Sequence, residues 1–349
     1  MESDARVGIL LPAATFRQIA AGKPTWEHAE KYAEAARRLG CEAVLFSLSG
    51  YDHDRGSVRG LVLRGGRWRP WRGSVPAVIH NRLVPATLGV AYLVKLLQRS
   101  RGAALFNPVV PRDRWPVWEC LRSHRALRGR VPPTWPLDRE ACASLPDLAE
   151  ERGALVIRPG YGATKASAFF VEPQGGRKLR FRVRRPGAAG RVVGGERLVR
   201  WLGRLRLRWP HVVQEALSFA AYEGEPWQLR AAVQRDGAGA WQVIDGVALT
   251  CRGALPCRKV LGELFPRPEA VWSEVGRLAL EAAESLGRRF PNTADLGVDF
   301  GVDTHGTPWL IDVTFRDPRS AFLEAGELST HSKLYENPMT YAHSLLRGA

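Results

Sequence analysis

The sequence predicts a protein of mixed α/β and α+β class whose sheets are covered by helices. Short apolar runs that suit strands alternate with amphipathic stretches that suit helices, a pattern typical of covered, mostly parallel sheets. The chain has 349 residues, of which 45% are hydrophobic and 25% are charged. These values are ordinary for a globular protein and leave room for two or three domains. A Pro-rich stretch at 107–137 separates two regions, and we place the main boundary at residue 108.

The first region, 1–108, is predicted to be a small α/β unit. Thr25 and Gly40 are residue types that begin and end helices, and the pair Gly65-Gly66 predicts a hairpin turn. The predicted elements are, in order, a strand at 6–11, a helix from Thr25 to Leu39, a strand at 42–47, a hairpin of 60–64 with 67–69, a strand at 75–79 and a helix at 92–99.

The second region, 109–349, continues the alternation of strands and helices. Its most regular helix, 269–289, has apolar residues at helical spacing. The stretch 179–184 alternates apolar residues with arginines, as a strand with one exposed face does. The other predicted elements are helices at 115–127, 198–207 and 338–346, and strands at 155–158, 168–172, 212–216, 228–234, 241–247, 297–302 and 308–314.

Three features bound the class of protein. No apolar run is long enough to cross a membrane, and the first residues do not resemble a signal peptide. The five cysteines include no CxxC pair, which favours reduced thiols over a metal site or disulfides. We therefore expect a cytoplasmic protein with no membrane span.

The positive charge is concentrated in one segment. The formal net charge is +16, and 177–208 alone holds eleven arginines, one lysine and one glutamate. Three interpretations stay open: solvated faces of a strand and a helix, a surface for a polyanion such as nucleic acid or an acidic polymer, and part of a phosphate site. No nucleic-acid-binding motif accompanies the charge, so nucleic acid is not the expected partner.

A candidate phosphate loop follows the strand at 155–158. Arg158 is followed by Gly160, Gly162, Thr164 and Lys165. Backbone N–H groups of such a loop can hold phosphate oxygens while the cations neutralise them. An ordinary hairpin turn with an arginine at its edge is the alternative.

Two further strands contain polar residues. Gln214 and Glu215 end one strand and can present hydrogen-bonding groups to a purine. Arg230 lies within another strand among apolar neighbours, where an arginine needs an anionic partner. That partner is either a substrate oxyanion or a structural ion pair with a nearby acid.

The strand pair at the end of the second region suggests a metal site. Asp299 and Asp312 lie on the two strands, which a turn at Gly306 joins. Two carboxylates that face each other there can hold Mg²⁺, which prefers oxygen ligands. Burying two acids without a cation is costly. The polar face of a solvated hairpin is the alternative.

The order of these segments resembles that of a known family. A cation-bearing loop, a Gln-Glu strand, an Arg-bearing strand and the strands GVDF and LIDVT follow one another as in the ATP-grasp superfamily. The chain most resembles its YheC/YheD-like branch, which is named for its association with endospore coats. Earlier stretches that fit are 77–82, 106–108, Arg114-Trp115 and 131–134, so that the resemblance spans roughly 6–320.

The resemblance implies an ATP-grasp fold that follows an N-terminal, Rossmann-like pre-ATP-grasp domain. The implied parts of 109–349 are a lid subdomain at about 150–217 and a metal-bearing subdomain at about 218–349. The implied activity is an ATP-dependent ligase that phosphorylates a carboxylate, which an amine or related nucleophile then attacks. The implied partners are ATP, Mg²⁺, an unidentified carboxylate or peptide-like substrate, and spore-coat proteins, with a spore-associated or plain cytoplasmic location.

The resemblance also assigns site residues by position. Arg230 and Arg158 are the implied catalytic residues. The implied phosphate-binding residues are Arg114, Arg158, Gly160, Gly162, Thr164 and Lys165. The implied adenine-pocket residues are Gln214, Glu215 and Leu217, and the implied metal ligands are Asp299, Asp312 and Thr314.

The sequence departs from the family pattern at several positions that the resemblance implies for catalytic turnover. The family has lysine where Arg114 and Arg158 stand, an acid where Gln228 stands, and E-x-N where the chain has Asp312-Val313-Thr314. Asp is shorter than Glu by one carbon–carbon bond, about 1.5 Å. Three functions therefore stay open: an active ligase, a catalytically degenerate scaffold in spore-envelope assembly, and a polyanion-binding protein.

Overall fold

The computed structural model describes residues 5–83, 88–99, 103–107, 114–159, 168–175, 180–208, 210–316 and 319–348. The chain forms two compact units. The first unit joins 1–110, 221–301 and 312–349, and the second joins 111–220 with 302–311. The domain limits taken from the sequence, 1–108 and 109–349 with its two subdomains, stay a prediction.

The N-terminal part of the first unit is a sheet with helices packed on it. Its described strands are β1 (Arg6–Leu10), β2 (Glu42–Asp52), β3 (Ser57–Arg64), β4 (Arg67–Ser74), β5 (Val78–Asn81) and β6 (Ala104–Phe106). They follow the order β4-β3-β2-β1-β5-β6. The strands β2, β1, β5 and β6 are parallel, while β3 and β4 form the antiparallel hairpin predicted around Gly65-Gly66. The helices are α1 (Ala13–Ala20), α2 (Ala29–Arg38) and α3 (Leu88–Arg99).

The predicted start of the first helix is wrong. The helix α2 begins at Ala29, and the Thr25 hydroxyl donates to the carbonyl of Glu27 at 2.6 Å instead of capping the helix. The short helix α1 was not predicted from the sequence, because it follows Pro12 without a capping side chain.

The second unit is built around an antiparallel sheet. In chain order its elements are α4 (Trp115–Ser123), β7 (Thr134–Pro136), α5 (Arg139–Arg152), β8 (Leu155–Pro159), β9 (Phe169–Pro173), β10 (Arg180–Arg184), β11 (Arg191–Gly194), α6 (Gly195–Arg208) and β12 (His211–Glu215). The strands follow the order β11-β10-β9-β8-β12-β7. The helices α5 and α6 pack on it through Leu145, Ile157, Phe181, Leu198 and Leu202, all buried. Every second residue of the strands and one face of each helix point into this shared core.

In the residues that the structure describes, the remaining part of the first unit is a second sheet with four helices. A small antiparallel pair, β13 (Ala221–Tyr222) and β14 (Glu225–Pro226), precedes it. Its described elements are β15 (Gln228–Arg235), β16 (Trp241–Thr250), β17 (Gly253–Pro256), α7 (Cys257–Leu264), α8 (Pro268–Arg289), β18 (Asp295–Val302), β19 (Pro308–Phe315), α9 (Ser320–Glu324) and α10 (Leu328–Gly348).

The strand order of this sheet is β17-β16-β15-β18-β19, so β15 lies in its middle. The helix α8 approaches β16 at Gly246, where an added Cβ would lie 2.5 Å from the Trp272 ring. The helix α10 places Tyr335, Met339 and Ala342 in the core of the N-terminal sheet. The predicted mixed α/β and α+β class is confirmed by this arrangement.

Candidate functional site

In the first unit, Arg230 and Asp299 form an ion pair with two hydrogen bonds. The residues lie directly opposite each other on the antiparallel strands β15 and β18. Arg230 Nε and Nη2 donate to Asp299 Oδ1 and Oδ2 at 2.7 and 2.8 Å. The side chains are only 13% and 4% exposed, so little water competes with the pair. The partner that a mid-strand arginine requires is thus an acid within the same sheet.

The other two predicted metal ligands lie on β19, the neighbour of β18. Asp312 and Thr314 are two residues apart and therefore share a face of the strand. Both side chains are partly exposed, and Asp312 Oδ1 accepts the N–H of Val313 at 2.8 Å. In the described part of the chain, no group of three or more His, Cys, Asp and Glu side chains is placed to hold a metal ion.

The donor chemistry of these residues nevertheless suits Mg²⁺. Asp299, Asp312 and Thr314 offer carboxylate and hydroxyl oxygens, the ligands of hard cations. An ionised carboxylate has about four lone-pair sites, so each Asp299 oxygen that accepts from Arg230 can accept further. By donor type, the three residues would suit Mg²⁺ together with oxygens of water or phosphate.

In the second unit, Arg158 contacts Gln214. The strands β8 and β12 are antiparallel neighbours, and Arg158 Nη1 donates to Gln214 Oε1 at 3.2 Å and to the carbonyl of Ile311 at 2.5 Å. Gln214 is buried and donates through Nε2 to Thr134 Oγ1 at 3.1 Å. These contacts hold a guanidinium at the end of β8, where the predicted phosphate loop begins.

The other predicted nucleotide residues of this unit have more varied surroundings. Glu215 Oε1 lies 4.0 Å from Arg152 Nη1, and Leu217 is partly exposed just after β12. Arg114 precedes α4, and its carbonyl accepts the N–H groups of Val117 and Trp118 at 3.0 and 3.1 Å. Gly160, Gly162, Thr164 and Lys165 lie outside the described residues. The nucleotide-binding roles of all these residues stay predictions.

The first unit also contains a group of buried charges that the sequence did not reveal. We name it the buried charge cluster: Glu27, Arg82, Asp295 and Arg319, each at most 3% exposed. Arg82 contacts Glu27 Oε2 and Asp295 Oδ2, both at 3.2 Å. Arg319 contacts Asp295 Oδ2 at 3.0 Å and approaches Glu27 Oε1 to 3.6 Å. Two cations and two anions therefore balance within the core.

Aromatic residues complete the surroundings of this cluster. The Tyr32 hydroxyl donates to Glu27 Oε1 at 2.7 Å and accepts from Arg319 Nη1 at 2.5 Å, while the Arg319 guanidinium lies 4.4 Å from the ring centroid of Tyr335. Burial raises the pKa of Tyr32 well above its ordinary value. Burial also lowers the pKa of the neighbouring His80 well below its ordinary value, with Arg319 and Arg82 adding to the effect. Both groups are therefore held neutral.

None of the described helices is long and apolar enough to span a membrane.

A protein-family model described as YheC/D like ATP-grasp matches residues 102–345. The chain belongs to this family. The match covers the whole second unit and most of the sheet that carries Arg230 and Asp299. No curated protein matches the sequence.

Solved structures share the ATP-grasp fold at low sequence identity. The crystal structure of D-cycloserine synthetase DcsG aligns with a TM-score of 0.54 at 14% identity, over 99% of both chains. N5-carboxyaminoimidazole synthetase from Staphylococcus aureus, complexed with ADP, aligns with a TM-score of 0.52 at 12% identity, over 91% of this chain and 72% of that one. The ATP-grasp ligase PsnB, complexed with a minimal precursor, aligns with a TM-score of 0.50 at 17% identity, over 91% and 92%. The predicted ATP-grasp fold with an N-terminal α/β domain is confirmed.

Proposed function

We propose that this ATP-grasp protein binds ATP with Mg²⁺ and acts as an ATP-dependent ligase. The observation that carries the proposal is the sheet of the first unit. In it, Arg230, Asp299, Asp312 and Thr314 lie on three adjacent strands, within a chain of ATP-grasp family and fold. A guanidinium beside oxygen ligands for a divalent cation is the chemistry that a transferring phosphoryl group needs.

The proposed reaction has two steps. A carboxylate oxygen of the substrate attacks the γ-phosphorus of ATP, the bond to the bridging oxygen breaks, and ADP leaves. An amine or related nucleophile then attacks the acyl carbon of the acyl phosphate, and phosphate leaves with the bonding electrons. The solved relatives with a synthetase or ligase name, one of them complexed with ADP, support this class. The PsnB complex with a minimal precursor supports a peptide-like acceptor among the candidates.

The proposed roles are assigned residue by residue. Asp299, Asp312 and Thr314 would hold Mg²⁺, which supplies neutralisation of phosphate charge when bound. Arg230 holds Asp299 in place and is the candidate for an oxyanion of substrate or the γ-phosphate. Arg158 and Arg114 are the candidates for the other phosphates. Gln214, Glu215 and Leu217 are the candidates for adenine, with the Gly160–Lys165 stretch as the lid.

The Arg230–Asp299 pair also supports a second candidate function, a nucleotide-binding relative without turnover. A guanidinium that satisfies both oxygens of Asp299 competes with a metal ion for that carboxylate. Asp312 is shorter than the glutamate of the family pattern, and Thr314 has a hydroxyl where the pattern has an amide. Both differences also favour this second candidate. A scaffold role with endospore-coat proteins belongs to this candidate and rests on the family resemblance.

Calorimetric titration with a non-hydrolysable ATP analogue, with and without Mg²⁺, tests the proposal. We expect Mg²⁺ to tighten binding to the native chain. We expect Asp299→Asn and the less buried Asp312→Asn to lose that tightening, while Glu284→Gln, on the exposed side of α8, keeps it. Nucleotide binding that ignores Mg²⁺ would favour the second candidate. No binding by a folded chain would overturn both.

A further inference from the structure

A cavity of about 690 Å³ lies in the second unit, between α6 and the strands β9, β10 and β11. This volume falls within the range of about 300–1,000 Å³ that is common for ligand sites. None of the predicted nucleotide or metal residues that the structure describes is in its lining. We name it the arginine cavity after the arginines in its lining, which are Arg184, Arg185, Arg191, Arg197, Arg200 and Arg204.

Positive charge exceeds negative charge around the arginine cavity. Among the described residues that line it there is no acid. In the part of the chain that the structure describes, Arg184 pairs with Glu172 at 2.7 Å, but Arg197, Arg200 and Arg204 have no carboxylate within ion-pair distance. Several like charges that face one concave space raise its potential and attract an anion.

The arginines are arranged in a row. Arg197, Arg200 and Arg204 are spaced three and four residues apart on α6 and so share one face of the helix. At 1.5 Å per residue this row spans about 10 Å. Arg184 and Arg191 belong to β10 and β11 on the other side of the cavity. The row suits an elongated ligand with several anionic groups better than a single phosphate.

The floor of the cavity is apolar and its rings are already engaged. Val183, Val193 and Leu198 line it. Phe169 and Trp201 pack edge to face with centroids 5.0 Å apart, and the guanidinium of Arg185 lies 5.2 Å from the Phe169 centroid. Nucleic-acid sites present open aromatic faces on which bases stack. Here the two rings already contact each other and Arg185, and the remaining apolar lining is aliphatic. Such a lining suits aliphatic side chains of a ligand better than bases.

We propose that the arginine cavity binds an extended, acidic polypeptide segment. Its carboxylates accept hydrogen bonds from the arginines, whose planar donors match carboxylates bidentately. Its alternate, apolar side chains contact the floor, because successive side chains of an extended chain point to opposite sides. The binding needs no nucleotide and does not depend on the proposed function.

Fluorescence anisotropy with two labelled probes tests this site on the full chain. The probes are a short peptide that alternates Glu with Val, and an oligothymidylate of similar length. The test variant is Arg200→Ala with Arg204→Ala. The matched control is Arg180→Ala with Arg182→Ala, which removes the same charge from exposed positions of β10 outside the cavity.

We expect the peptide to bind more tightly than the oligothymidylate. The test variant should weaken peptide binding about tenfold, since it removes two exposed ion pairs of modest strength, and the control should change it less than about twofold. Equal losses in the two variants would show diffuse charge attraction and overturn the site. Tighter binding of oligothymidylate would assign the surface to nucleic acid, and absence of peptide binding would also refute the proposal. The anisotropy assay contains no ATP, so its outcome does not depend on whether the calorimetric titration detects nucleotide binding.

Discussion

Arginines in the two units of this protein have opposite surroundings. In the buried charge cluster, Arg82 and Arg319 are enclosed by two carboxylates and the Tyr32 hydroxyl and are at most 3% exposed. In the arginine cavity, five of the six arginines are exposed, Arg184 pairs with Glu172, and no acid is among the described residues of the lining. Arginine therefore stabilises the core of the first unit, whereas in the second unit most arginines of the cavity are accessible to a ligand.

Desolvation explains the difference. A buried guanidinium is tolerated only where carboxylates and acceptors replace its water, so the arginines of the cluster are committed to their partners. Arg319 even has a left-handed backbone with φ of +64°, a conformation that non-glycine residues keep only when their surroundings enforce it. An exposed guanidinium remains hydrated and can exchange water for an anion. Substitutions at the two kinds of arginine should therefore differ in their effect on the free energy of unfolding.

The largest effect is expected for Arg319→Met. Methionine keeps the apolar stem but removes the charge, and Asp295 and Glu27 each lose a cationic neighbour. Removing one partner of a buried ion pair costs about 3–5 kcal/mol, so urea-induced unfolding should show a loss of that size. The control is Arg200→Met in the arginine cavity, which should change stability by less than about 0.5 kcal/mol. Similar losses in both variants would contradict the contrast.

An intermediate effect is expected for Arg230→Met. The substitution removes two hydrogen bonds to Asp299, which is 4% exposed, but Arg230 itself is 13% exposed and closer to solvent than Arg319. Hydrogen bonds to charged groups contribute about 1.5–3 kcal/mol, and we expect a loss of about 2–3 kcal/mol in the same assay. A loss as large as that of Arg319→Met would show that partial exposure does not matter here.

A third effect concerns pH and His331, which packs beside the buried charge cluster. The pKa of His331 is lowered to about 4, mainly by burial and in addition by the facing groups His28, Lys31 and Arg319, while Glu27 opposes them. The unfolded chain, with a pKa near 6.5, binds a proton that the folded chain does not, so stability is complete above pH 6.5 and falls toward pH 4. With about 1.4 kcal/mol per pKa unit, the difference between 6.5 and about 4 predicts a loss of about 3 kcal/mol between these pH values.

Unfolding curves at several pH values check this dependence. His331→Gln should flatten it, while His305→Gln, in the exposed turn at 303–306, should not. Part of the dependence should survive in His331→Gln, because the pKa of His80 is lowered as well. A His331→Gln curve identical to that of the native chain would refute the assignment.

The sequence predicted the elements whose pattern is local. The helix α8 and the strands β18 and β19 follow from periodicity, and the family follows from the order of short motifs. It was also possible to infer that Arg230 needs an anion, because a charge among apolar strand residues implies a partner. The identity of that partner required the strand register, which sets Arg230 opposite Asp299.

The buried charge cluster could not be predicted in the same way. Glu27, Arg82, Asp295 and Arg319 are separated by up to 292 residues, and each resembles a surface charge in its local sequence. Only the packing of the N-terminal sheet with β18 and the start of α9 brings them together. Similarly, the eleven arginines at 177–208 show a charged segment but do not show which of them line a cavity.

The smallest effect is expected for the exposed pair Arg38–Glu336, which joins α2 to α10. Its atoms are 2.6 Å apart, closer than the 3.0 Å between Arg319 and Asp295, but its side chains are 57% and 41% exposed. If distance decided the energy, this pair would be the stronger one. Water and salt screen exposed charges, and such pairs contribute about 0–1 kcal/mol. A double-mutant cycle with Arg38→Ala and Glu336→Ala, measured by urea unfolding, should give a coupling energy below about 1 kcal/mol that decreases further in high salt. A coupling near that of the buried charge cluster would mean that burial is not what separates the two kinds of arginine.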